Sequence, residues 1–171
     1  MVSAILAFLL LAQTQPPTQP PACSAPEHHQ FDFWIGEWVV RGPAGKELGK
    51  NRIERIEGGC GLQENWTSAR GGYTGRSLNA YRPETGQWHQ TWLGNDGGLL
   101  LLDGKFVNGK MVLEGKGVGQ DGKPLRHRIT WSPLAGATLR QVWEQSTDEG
   151  KTWTTAFDGQ YSHSNASADR R

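Results

Sequence analysis

Two residues in this chain have the type and setting that proton chemistry requires. Glu64 alternates with Leu62 and Trp66, a period of two that places it on the apolar side of a strand. A carboxyl group held among indoles resists ionisation, which raises its pKa and suits it to general acid–base work. Pairing with Arg128 or Arg140 is the structural alternative. His127 shares a strand side with Ile129 and Trp131. Burial there would lower its pKa and leave a neutral imidazole able to accept a proton or bind a metal. Other catalytic constellations are missing from the sequence. There is no Gly-x-Ser-x-Gly elbow, no phosphate-cradling loop and no dinucleotide fingerprint. No two histidines have His-x-His or i, i+4 spacing, so a zinc site is not indicated. No catalytic residue is assigned, and an isomerase or hydrolase using Glu64 or His127 stands as an alternative reading.

A second group of residues points to binding. If Arg82 and Gln87 close the loop 83–86, Tyr81 faces Trp88, Asn79 faces Gln90 and Ser77 faces Trp92 across two strands. The other side of that pair carries Leu78, Ala80, His89, Thr91 and Leu93. Leu125, His127, Ile129 and Trp131 share a side further on, and Gln141, Trp143 and Gln145 are expected to lie with Trp153, Thr155 and Phe157. A plain core would use Val, Ile and Leu. This mixture of indole, amide and hydroxyl is the composition of a wall that orients a ligand, with a filled core whose polar tips are satisfied as the alternative. The expected ligand-binding set is Ser77, Asn79, Tyr81, Trp88, Gln90, Trp92, Trp131 and Trp143. Trp153 is expected to anchor a hairpin.

The elements that must position these residues are strands. From Gly36 onward the period is two, with turn signals every few residues, and no segment carries a helical stripe. Strands are expected over 36–41, 47–57, 61–68, 73–81, 87–94, 99–107, 110–117, 124–132, 138–146 and 152–161. Such a run of short strands reads as an antiparallel meander closed into a barrel or folded into a sandwich. Asn108-Gly109 is a two-residue hairpin loop of the kind that needs positive φ at both positions. Ser146-x-Asp148-x-Gly150-x-Thr152-Trp153 matches the Asp-box hairpin. Its carboxylate can bond turn amides, so it is read as structural.

Length and composition bound the rest. The 171 residues carry a formal charge of +1 with signs interspersed, which provides no basic stripe for nucleic acid. An apolar run over 4–12 has the length of a signal-peptide core and is too short to span a bilayer. The expected organisation is a signal peptide over 1–12, a proline-rich tether over 13–26, a barrel over 27–163 and a disordered tail over 164–171. Export to the periplasm or medium would expose Cys23 and Cys60 to oxidation, and the two suffice for one disulfide. Free thiols are the alternative.

The segment Phe31-Asp32-Phe33-Trp34-Ile35-Gly36-Glu37-Trp38, a short turn followed by Gly-x-Trp at the first strand, resembles the opening of lipocalins and their calycin relatives. The ten-strand meander resembles the fatty-acid-binding and nitrobindin-like members. Extended through Gly59-Cys60 to Phe157-Asp158-Gly159-x-Tyr161, the pattern is similar to that of a family of secreted bacterial proteins with no assigned activity. It lacks the second, Thr-Asp-Tyr motif of classical lipocalins. The resemblance implies an all-β calycin-like barrel with Trp38 as the plug of one end. In nitrobindin-like barrels a haem ligand comes from the C-terminal part of the chain, and His163 is the comparable residue here, although no cofactor is assigned. The expected function is an exported, monomeric barrel that binds a small apolar or amphipathic ligand. A structural protein of the cell envelope with a filled core is a third reading.

Overall fold

The computed structural model describes residues 21–119 and 121–164. The expected signal peptide, most of the tether and all but the first residue of the expected tail lie outside the described residues. Two 3₁₀ turns, Pro26–His29 and Asp32–Trp34, precede ten strands. The strands are β1 (Gly36–Arg41), β2 (Glu47–Ile56), β3 (Gly61–Ser68), β4 (Thr74–Arg82), β5 (Gln87–Gly94), β6 (Leu99–Val107), β7 (Lys110–Val118), β8 (Pro124–Leu134), β9 (Thr138–Ser146) and β10 (Thr154–His163). Each pairs antiparallel with its sequence neighbour, and β1 closes on β10 from Trp38 opposite His163 to Arg41 opposite Gln160. Closure leaves no unpaired edge to template association. The all-β meander expected from the period of two is the fold, and it closes into a barrel rather than folding into a sandwich.

Alternation does the sorting. Along β4, Gly75, Ser77 and Asn79 are buried while Arg76, Leu78 and Ala80 are exposed. Its register with β5 pairs Tyr81 with Trp88, Asn79 with Gln90 and Ser77 with Trp92, as the loop 83–86 requires. At the Val107–Lys110 hairpin, Asn108 and Gly109 have φ of 51° and 76°, the left-handed pair that a two-residue loop needs.

One end of the barrel is closed by the residues before β1. Phe31 and Trp34 have no exposed surface, and Phe31 meets the rings of Trp34, Trp88 and Trp131 at centroid distances of 4.8, 5.6 and 5.1 Å. The Trp38 indole N–H donates to the Trp34 carbonyl at 2.9 Å, locking the turn to the first strand. The Cys23–Cys60 disulfide joins the chain before these turns to the start of β3. Closing a loop of 37 residues stabilises by about 4 kcal/mol in the chain-entropy model.

The C-terminal hairpin departs from expectation. Trp153, Thr155 and Phe157 do not share a side, because the β9–β10 register shifts between Thr155 and Phe157. The extra residue reverses the alternation. Phe157 therefore lies opposite Trp143 with its ring against Trp66, while Trp153 sits outside under the Arg128 guanidinium, 4.1 Å from the ring centroid. The Asp-box itself holds as a turn. Asp148 accepts from the Thr152 hydroxyl at 2.6 Å, the Thr152 amide at 2.9 Å and the Ser146 hydroxyl at 2.7 Å, which holds its carboxyl well below the usual range. The last strand runs to His163, whose ring stacks on Trp38 at 3.9 Å.

Candidate functional site

The interior is layered, and the register defines the layers. The closed end holds Tyr81, Trp88, Trp131 and the plug; along β4 and β5 the next inward positions are Asn79 and Gln90 and then Ser77 and Trp92, while on β8 and β9 Gln141 lies opposite Trp131 and Trp143 lies beyond it opposite Ile129. Trp88 and Trp131, expected in a ligand wall, are 2% and 0% exposed and packed on the plug. Trp92 and Trp143 are half-buried, as are Trp66 and Phe157 nearby. Glycines make room for these rings: a Cβ at Gly49 would overlap Trp66, and one at Gly75 would overlap Trp92.

Between the two ends runs a buried hydrogen-bonded chain. The Gln90 amide donates to Asn79 Oδ1 at 2.8 Å, the Asn79 amide donates to Ser77 Oγ at 2.9 Å, and the Ser77 hydroxyl donates to Glu64 Oε2 at 2.7 Å. From the other side, the Asn51 amide donates to Glu64 Oε1 at 2.7 Å. Tyr161, which donates to Gln141, lies 3.4 Å from the same Asn51 amide nitrogen. On the β4–β5 side each donor points toward Glu64, and Asn51 donates to it from β2, the arrangement that an ionised carboxylate needs. Burial opposes ionisation more strongly. It pushes the Glu64 pKa up to about 7, with the Ser77 and Asn51 bonds pulling the other way. Burial, and next the proximity of Glu64, also raises the Tyr161 phenol well above its usual range.

The expected arginine partners of Glu64 are elsewhere. Arg128 binds Glu144 at 2.9 Å and Arg140 binds Asp158 at 2.7 Å, both pairs standing on the outer surface because β8 and β9 point these positions away from the core. Four buried polar atoms near the axis have no partner: Asn51 Oδ1 and the indole N–H groups of Trp34, Trp88 and Trp131. Such groups are uncommon in a filled core, where an unmade bond costs about 1–3 kcal/mol.

His127 is interior, as its strand side predicts, at 8% exposure. Its Nδ1 accepts from the Trp143 indole at 3.1 Å, and burial lowers its pKa, so the ring is held neutral. Among the described residues no group of three His, Cys, Asp or Glu side chains is placed to hold a metal ion, and no helix is long and apolar enough to cross a membrane.

Asn51, Tyr161 and Trp66 complete the cluster without having been in the expected ligand-binding set. Asn51 had a legible signal. In Gly49-Lys50-Asn51-Arg52-Ile53-Glu54 the charged residues alternate outward, which leaves Asn51 facing in between Gly49 and Ile53. His89 points outward, bonding Asp103 at 2.9 Å and Thr91 at 2.8 Å beside a surface groove of about 300 Å³ that Leu78 and Ala80 also line. No protein-family model matches this chain, and no curated protein sequence matches it.

Proposed function

We propose that the barrel binds a small amphipathic molecule in its interior, entering from the end away from the Phe31–Trp34 plug. The observation that carries this reading is a buried chain of amides, a hydroxyl and a carboxyl lying directly under half-buried aromatic rings. Trp66, Trp92, Trp143 and Phe157 would supply area and stacking, while Ser77, Asn79 and Gln90 would orient the polar end. Trp88, Trp131 and Tyr81 would form the floor beneath. A pure stability role accounts poorly for this layer, because apolar residues of similar volume would fill it without unpaired atoms. The disulfide supports export, since such bonds persist in oxidising compartments. The working unit in this reading is a monomer, whose closed sheet contains the whole site.

Native mass spectrometry of protein purified without detergent tests the reading. A bound molecule is expected that is lost on acid denaturation and weakened by Trp143→Ala. A bare polypeptide mass, together with unchanged tryptophan emission on titration with short alcohols, would set ligand binding aside in favour of a filled structural barrel. An enzymatic reading draws on one specific observation, the carboxyl titrating near 7. It predicts turnover that Glu64→Gln abolishes while binding persists.

A further inference from the structure

We infer that the ligand is an organic cation, a protonated amine whose ammonium pairs with Glu64 while its apolar part packs among the aromatic rings of the half-buried end. This deepens the binding reading above and rests on it. Three observations lead there.

The first is charge. Glu64 is 4% exposed, and no Lys, Arg or His among the described residues bonds it. Burial and the Ser77 and Asn51 bonds account for its pKa, with no cation among the causes, and Glu64 in turn raises the phenols of Tyr161 and Tyr73. A carboxylate buried without a counter-ion is costly, and proteins normally pair it.

The second is donor and acceptor balance. An ionised carboxylate accepts about four hydrogen bonds, and Glu64 receives two. The adjacent Asn51 contributes a further acceptor, Oδ1, which is buried without a partner. Surplus acceptors on neighbouring side chains call for a ligand rich in N–H, and an ammonium has up to three such donors.

The third is the surrounding rings. Trp66 lies one inward position beyond Glu64 on β3, and Trp92 is paired with Ser77, which itself bonds Glu64. Indole faces carry negative electrostatic potential and attract a cation as well as an apolar body. The raised pKa of the carboxyl fits the same account: burial favours its protonated form without the ligand, and an arriving cation drives the proton off.

Calorimetry on the full-length protein with three matched probes tests this: 2-phenylethylamine, 2-phenylethanol and phenylacetate. The amine is expected to bind at least about tenfold tighter than the alcohol, and the acid weakest. Glu64→Gln keeps the shape of the side chain, so it should erase the amine preference, bringing amine and alcohol affinities together, with the circular dichroism spectrum as in the parent. Amine binding near pH 6, repeated in buffers of different ionisation enthalpy, should release up to about one proton per site, and Glu64→Gln should release none. Equal binding of amine and alcohol, or an amine preference that survives Glu64→Gln, would overturn the cation assignment and leave the binding site standing. Preference for phenylacetate would overturn it in favour of the unpaired indole N–H groups of Trp34, Trp88 and Trp131. Failure of all three probes to bind would overturn both this inference and the reading it rests on.

Discussion

The two ends of the barrel interior bury the same residue type to different depths. At the closed end Trp34, Trp88 and Trp131 are fully or almost fully buried, stacked around Phe31, and pinned by the Trp38 bond to the Trp34 carbonyl. At the other end Trp66, Trp92 and Trp143 keep part of their surface, and Trp143 is held by a bond to His127. Burial of an indole is thus spent on stability below and left available for contact above. The polar layer headed by Glu64 separates the two.

The largest effect that would expose this difference is at the closed end. Trp131→Ala should lose about 3–5 kcal/mol in urea unfolding, as deletion of a buried ring does, and Trp92→Ala clearly less. Equal losses would erase the distinction. Replacing Cys23 and Cys60 with Ser should cost about 2–4 kcal/mol and speed amide exchange in β3 and β4 beside the bridge more than in β8 and β9.

The polar layer between the ends predicts a pH dependence. Unfolded Glu64 ionises near 4.5 and the folded group near 7, so the unfolded state binds fewer protons between these values. Stability should therefore fall as pH rises through that window, by roughly 3 kcal/mol when both forms have titrated. Glu64→Gln should flatten this part of the profile. His127 acts in the other direction: its lowered pKa gives stability that is present above the ordinary histidine range and lost as pH falls below it. The smallest effect is at the rim. Trp143→Phe should cost about 1 kcal/mol through the lost indole bond and raise the His127 pKa toward its usual value in an NMR titration.

Much of this was legible in the residue pattern. Strict alternation from Gly36 onward, and glycine or proline turns between runs, gave all ten strands and the register of β4 on β5. The interior position of Glu64 and His127 followed from the same period. Three features did not follow. The bulge in β10 has no signature in Thr154-Thr155-Ala156-Phe157, so the side taken by Trp153 was misassigned. The partners of Glu64 come from the two strands paired with β3, Asn51 on β2 and Ser77 on β4, and it is the register of those pairings that brings them to it instead of an arginine. The split of the tryptophans depends on where the two 3₁₀ turns fold back, since Phe31 and Trp34 decide which rings become plug and floor. Alternation determines a side chain's side, and tertiary closure determines its depth.

The end away from the plug is the proposed binding end, and fluorine NMR of protein labelled with 5-fluorotryptophan reads it indole by indole. Eight resonances report on eight indoles. On titration with 2-phenylethanol, the signals of Trp66, Trp92 and Trp143 should shift together and saturate, while those of Trp34, Trp38 and the exterior Trp153 hold still. A response confined to Trp153, or no saturable shift at any indole of the half-buried end, would contradict the account.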